Sequence, residues 1–227
     1  REKWGGRRCF VDPKHIADHS RMADGRHPVE FIFAELRRKS CGAVPVTGLD
    51  RDKRYQHCME KIVSRDNRGA CVRAYLEQAA RESFGPDVGA LVAELGIGYG
   101  STDLVLDLGA PNFTPISGFS KVVQAIIAKI PNLNEWRTFT LLATSFPETM
   151  GELEIPGALL PRNEWLLYRR VVAGLQERGK RVPTFGDYAV QHPAVWHLDM
   201  RLVKPAASIR YSADERWFII KGPNVRD

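Results

Sequence analysis

Three aspartates stand where carboxylates could do metal or acid–base chemistry. Asp12 closes the apolar run Cys9-Phe10-Val11, and Asp107 closes Leu104-Val105-Leu106. Asp187 sits in Pro183-Thr184-Phe185-Gly186-Asp187-Tyr188. Carboxylate oxygens are the natural ligands of Mg²⁺ and Mn²⁺, and a metal held by such groups can activate water. Arg73, which closes Cys71-Val72, and Arg210 add permanently charged, fork-shaped donors suited to a phosphate or carboxylate. The plainer reading of the same residues is that Asp and Arg at strand ends pair with one another and bind nothing.

The elements that must position these groups follow from the apolar pattern. Five short runs end on polar side chains: Cys9–Asp12, Val44–Thr47, Cys71–Arg73, Leu104–Asp107 and Phe139–Ser145. Each of the first four is followed by a stretch of helical spacing, and alternation of strand and helix predicts a parallel sheet. Helices are expected over 27–39, 52–64, 76–84, 87–95, 117–129 and 162–178, and a hairpin over 207–212 and 216–221. Parallel α/β folds carry chemistry at strand C-termini, so the expected rim is Asp12, Thr47, Arg73, Asp107 and Ser145. Five strands plus the hairpin fall short of eight. The expectation is therefore a single-domain (β/α)₈ TIM-like barrel over residues 1–227, lacking its first strand or strands and ending in a β-hairpin, as a fragment of a longer protein.

Other motifs yield less. His15 and His19 are four apart beside Asp12 and Asp18, a zinc-like spacing without the Glu of HExxH or an evident third ligand. Gly96-Ile97-Gly98-Tyr99-Gly100 precedes a strand, whereas a dinucleotide loop follows one, so it reads as a connector and no nucleotide cofactor is indicated. Ser145 lacks a GxSxG elbow and is followed by Phe146-Pro147, which argues for a capping or binding hydroxyl over a nucleophile. Trp165, Tyr168, Trp196, Tyr211 and Trp217, interleaved with Arg162, Arg169, Arg210 and Lys221, suit stacking on single-stranded nucleic acid or, more plainly, sealing the end of a barrel. The loop carrying His192, Pro193 and His197 has no pattern of its own.

Composition bounds the rest. In 227 residues, 44% hydrophobic and 26% charged, no apolar run approaches a membrane span. The net charge of +6 is unevenly spread. Residues 1–81 carry 18 Lys/Arg against 11 Asp/Glu, residues 82–160 carry 3 against 9, and residues 161–227 carry 12 against 7. Basic blocks attract phosphates, although charged helices coating the outside give the same count. Cys9, Cys41, Cys58 and Cys71 form no CxxC pair, so no disulfide framework is expected and a reducing, cytoplasmic setting is favoured.

One resemblance is specific. Thr144-Ser145-Phe146-Pro147, Pro161-Arg162-Asn163-Glu164-Trp165, Pro183 to Tyr188, Lys204-Pro205-Ala206-Ala207-Ser208-Ile209-Arg210-Tyr211, Trp217 and Lys221-Gly222 occur in that order. This series resembles the "beta protein" family of phages and bacterial mobile elements, most clearly over about 138–222. The resemblance implies a barrel-like α/β protein with a further N-terminal segment and a setting of prophages and phage defence, without an established reaction. Arg162, Glu164, Asp187, Tyr188, Arg210 and Lys221 are the motif positions it selects. The resulting expectation is a component of a phage-conflict system that hydrolyses or binds nucleic acid, or another phosphate-bearing ligand. In it Asp107 and Asp187 hold Mg²⁺ or Mn²⁺, Glu164 or Asp12 orients water, and Arg73, Arg210, Arg162 and Lys221 face phosphate. Ser145, Tyr188 and Tyr211 are further candidate positions. The alternative is a non-enzymatic subunit that neutralises or scaffolds a protein partner encoded nearby.

Overall fold

The computed structural model describes residues 7–17, 19–150, 153, 156–194 and 206–224. Strand and helix alternate as the apolar runs require: β1 (Arg8–Val11), α1 (Pro28–Arg38), β2 (Gly42–Thr47), α2 (Lys53–Asp66), β3 (Ala70–Tyr75), the single-turn α3 (Leu76–Ala79), α4 (Phe84–Glu94), β4 (Thr102–Asp107), α5 (Ile116–Ala128) and β5 (Thr138–Ala143). Then come β6 (Gly157–Pro161), α6 (Asn163–Glu177), β7 (Thr184–Asp187), β8 (Ala206–Ser212) and β9 (Arg216–Asn224).

Six strands form one sheet in the order β1-β2-β3-β4-β5-β7, and β6-β9-β8 form a separate three-stranded sheet. β1 pairs with β2, β2 with β3 and β5 with β7 in parallel, whereas β9 pairs antiparallel with both β6 and β8. The architecture is thus mixed α/β, with a parallel sheet and a hairpin sheet. Six parallel strands are two short of a closed eight-stranded barrel, so the described residues show this coarser arrangement and no barrel. Two strands escape the apolar pattern. β6 lies at the end of the Pro- and Gly-containing stretch after Ser145 and joins the hairpin, while β7 lies in the Pro183–Tyr188 motif and joins the parallel sheet. Among the described residues no helix is long and apolar enough to cross a membrane.

The chain divides into two compact units, Arg1–Leu106 with Lys129–Phe139 and Asp107–Ala128 with Thr140–Asp227. In the first unit, strands buried on both faces supply Val44, Val46, Cys71, Val72 and Leu104, packed with Phe33, Met59, Ile62 and Leu91 from the helices. Helix starts are set by side-chain acceptors: Asp52 takes the amides of Arg54 at 2.7 Å and Tyr55 at 3.1 Å, and the His27 ring takes that of Val29 at 3.3 Å. Asn67 at φ 48° ends α2 in the left-handed region. Gly69 follows at φ 73°, where an added Cβ would collide with the Ser101 carbonyl.

In the second unit, Val123 and Ile127 of α5 and Leu167, Val171 and Leu175 of α6 are buried. The absence of a side chain at Gly174 admits the Gln124 amide, whose Nε2 donates to the Arg170 carbonyl at 3.2 Å. A second cluster joins Phe146, Trp217 and Ile219.

A heavily bonded buried acid of the first unit is Asp103, near the start of β4. It accepts from Arg137 Nε at 3.0 Å, Arg137 Nη2 at 2.5 Å and Thr138 Oγ1 at 2.8 Å, while Arg137 also donates to the Arg68 carbonyl at 2.9 Å. The bonded carboxylate holds the guanidinium above its ordinary pKa. Asp103→Ala leaves that charge unpaired and is expected to lower stability in urea unfolding by about 3–5 kcal/mol. Asp103→Asn, which keeps an acceptor for Thr138, costs less.

Candidate functional site

At the strand ends of the first unit, Asp12 and Arg73 do come together, with a third partner. Asp12 Oδ1 accepts from Arg51 Nη2 at 2.9 Å and Oδ2 accepts from Arg73 Nη1 at 2.9 Å. All three side chains are largely buried, at 16%, 9% and 12% exposure for Asp12, Arg51 and Arg73. The Lys14 amide donates to Asp12 Oδ1 at 3.1 Å, and Asp50 lies 3.6 Å from Arg51 Nε. Arg51 stacks over Tyr55 at 5.3 Å and Arg73 over Tyr75 at 5.7 Å. The expected phosphate donor Arg73 therefore donates its Nη1 to Asp12. Thr47 is fully buried and donates to Gln56 Oε1 at 2.7 Å, so it faces the interior. Arg51 was missed because its run, Asp50-Arg51-Asp52, reads as an exposed helix start.

The second unit gathers most of the motif positions. Glu164 is completely buried; its Oε1 accepts from Arg162 Nε at 3.0 Å and its Oε2 takes a short hydrogen bond from Ser145 Oγ. The Asn163 amide, at the first turn of α6, donates to the same Ser145 oxygen at 3.1 Å. Arg162 sits over the Trp217 ring at 4.8 Å, donates to the Ala213 carbonyl at 3.3 Å, and lies 3.7 Å from Asp187 Oδ2. Both carboxylate oxygens of Glu164 are thereby held by protein donors. Ser145 thus links the first turn of α6 to the Glu164 carboxylate.

Asp107, the last residue of β4, is 1% exposed. Its Oδ1 accepts the Gly109 amide at 2.8 Å and its Oδ2 accepts the Tyr188 hydroxyl at 2.6 Å. Asp187 Oδ1 accepts the Ala189 amide at 2.9 Å. Arg210 donates to the Val190 carbonyl at 2.9 Å and covers Phe146 at 5.3 Å. Lys221 Nζ donates at 2.8 Å to both the Met150 and Leu153 carbonyls. These two cations bind backbone where phosphate was expected. Among the described residues no three or more His, Cys, Asp or Glu side chains gather into a set able to hold a metal ion. His15 and His19 lie on turns, so their spacing does not stack them on a helical face. Asp18, Trp196, His197, Lys204 and Pro205 lie outside the described residues.

Among the described residues of this second unit, two pockets stand out. The larger is open, about 1160 Å³ in volume, and is lined by Trp165, Phe185 and Tyr211 beside Arg162, Arg169 and Arg216, with Asp214 and Glu215 on the same loop. Trp165 stacks on Tyr168 with centroids 5.4 Å apart, and Phe185 meets both rings edge-on. Arg169 pairs with Glu215 at 2.5 Å, both side chains more than half exposed, so this pair is weak and exchangeable. The smaller pocket, about 290 Å³, is lined in part by Asn112, Ser145 and His192. There Ser145 is committed to Glu164, and His192 Nδ1 accepts the Ala194 amide at 3.2 Å.

Glu164→Ala strands the Arg162 guanidinium in a buried site, and a loss of about 3–5 kcal/mol in chemical unfolding is expected. Ser145→Ala should cost about 1–3 kcal/mol by leaving a carboxylate oxygen and the Asn163 amide unpaired.

No curated protein and no solved structure matches this chain. The family model described as Beta protein matches residues 1–227, which includes the N-terminal half where motif resemblance is weakest. The chain belongs to the Beta protein family.

Proposed function

We propose that this protein binds single-stranded nucleic acid through the open pocket of its second unit, as a component of a phage-conflict or mobile-element system. The observation that carries the reading is one surface holding three aromatic rings, Trp165, Phe185 and Tyr211, beside three guanidinium groups, Arg162, Arg169 and Arg216. Bases stack on aromatic faces without regard to sequence, and arginines track the phosphates between them. The excess of Lys and Arg over residues 161–227 supports the same partner. Binding is favoured over hydrolysis because Asp107, Asp187, Glu164 and Asp12 each already spend oxygens on protein donors. On this reading the six parallel strands would be part of a (β/α)₈ barrel.

A second reading, an interaction subunit, is favoured by the outer face of the β6-β9-β8 sheet. Ile209 opposes Ile220, and Phe218 is flanked by Tyr211 and Leu159. All five side chains are exposed on that face. Apolar patches of this kind mark protein contacts.

Fluorescence anisotropy with labelled oligo-dT and oligo-U separates the two. Tyr211 is 66% exposed, so its replacement leaves the core intact. Tyr211→Ala is expected to weaken binding by about tenfold, the scale of one lost base stack. Arg216→Gln should reduce the slope of log affinity against log salt by about one unit. Incubation with Mg²⁺ or Mn²⁺ beside an Asp107→Asn control reads cleavage. Absence of binding at low salt, or binding indifferent to Tyr211 and Arg216, overturns the nucleic-acid reading and leaves the protein contact. Cleavage lost in the Asp107→Asn protein would instead establish hydrolysis.

A further inference from the structure

Two of the four cysteines face each other. Cys9 lies in β1 and Cys41 immediately precedes β2, and their sulfurs are 3.8 Å apart. The parallel register pairs Arg8 with Gly42 and Cys9 with Ala43, so Cys9 and Cys41 are diagonal neighbours on adjacent strands. Alternation of side chains puts both on the same face. Neither is sealed in the core: both are half-buried, whereas Cys58 and Cys71 are buried.

The surroundings allow this gap to close. A disulfide needs its sulfurs at about 2.05 Å, which side-chain rotation and a small movement of backbone can supply from contact distance. β1 is a four-residue edge strand whose neighbour in the sheet is β2. Cys41 sits just before the first residue of β2, with its carbonyl taking a short hydrogen bond from Arg68 Nη1. An edge strand and a strand-entry residue yield more readily than paired central strands. The other two thiols have no such neighbour: Cys58 donates to Glu30 at 3.5 Å, and burial with that carboxylate pushes its pKa up to about 11.

We propose that Cys9 and Cys41 are a redox modification site, forming a reversible intramolecular disulfide by exchange with a low-molecular-weight disulfide such as oxidised glutathione. One cysteine thiolate attacks a glutathione sulfur, breaking its S–S bond, forming a protein–glutathione mixed disulfide and expelling one glutathione thiolate. The second cysteine thiolate then attacks the protein-side sulfur, forming the Cys9–Cys41 bond and expelling the second glutathione thiolate. The two protons given up by the protein thiols are taken up by the two glutathione thiolates. The protein is oxidised by two electrons and oxidised glutathione is reduced by the same two. The product ties the edge strand β1 to the entry of β2 and closes the β1–α1–β2 segment. Burial and the facing Cys41 thiol raise the Cys9 pKa, and Arg68 opposes them, so attack by Cys9 is expected to quicken as pH rises.

The test uses the reduced full chain, titrated with mixtures of reduced and oxidised glutathione and read by intact mass and non-reducing peptide mapping. Expected is the loss of two hydrogen masses, a Cys9–Cys41 cross-linked peptide, reversal by dithiothreitol, and slower amide exchange in β1 of the oxidised form. Cys58→Ser/Cys71→Ser should give the same product. Cys9→Ser should instead accumulate a stable glutathione adduct on Cys41, because the resolving thiol is gone. A persistent glutathione adduct on the unaltered chain, cross-linking through Cys58 or Cys71, or recovery of four free thiols under oxidising mixtures overturns the proposal.

Discussion

A carboxylate shut away from water needs a charge and hydrogen-bond donors within reach, and Glu164 has both in Arg162 and Ser145. Much of the second unit is arranged around that requirement. Arg162 must lie where α6 begins, so the helix start, the end of β6 and the start of the loop after β5 converge on one carboxylate. The outer side of the same guanidinium is spent on the Trp217 ring and on the turn between β8 and β9, which ties the hairpin sheet to α6. Asp187 stands at the edge of this network rather than at its centre.

The strand ends of the first unit obey the same economy on a different scale. Two guanidiniums share the Asp12 carboxylate, and each lies over a tyrosine ring that shields its flat face from water. Residues that look like an array of free chemical groups in one dimension are, in three, a set of closed pairs. What stays open is the pocket beside α6, where aromatic rings line a surface with the exposed Arg169 and the largely buried Arg162. The proposed function rests accordingly on the aromatic and basic side chains rather than on the acids beside them.

That shift also explains how the two functional readings differ. Nucleic-acid binding draws on rings and cations in the same concave surface, whereas a protein contact draws on the flat apolar face of the hairpin sheet. Tyr211 belongs to both, since it lines the pocket and stands opposite Phe218 in the sheet. The Cys9–Cys41 pair is separate from either, lying in the other unit at an edge of the parallel sheet.

The alternation of five apolar runs with amphipathic helices was legible in the residues, because burial on both faces of a parallel strand demands a continuous run and a helix face demands its own spacing. So were the starts of α1 and α2, since His27 and Asp52 act on amides two or three residues away. β6 and β7 were not legible: each is short, carries Pro or Gly, and gains its pairing from a strand distant in the chain. Nor could sequence say that Asp12 would be claimed by Arg51 and Arg73, Asp107 by Tyr188, or Ser145 by Glu164. Periodicity reports how a side chain relates to its own element, a local property. Ion pairing is decided by which elements the fold brings alongside, and for Asp107 and Tyr188 that means groups 81 residues apart.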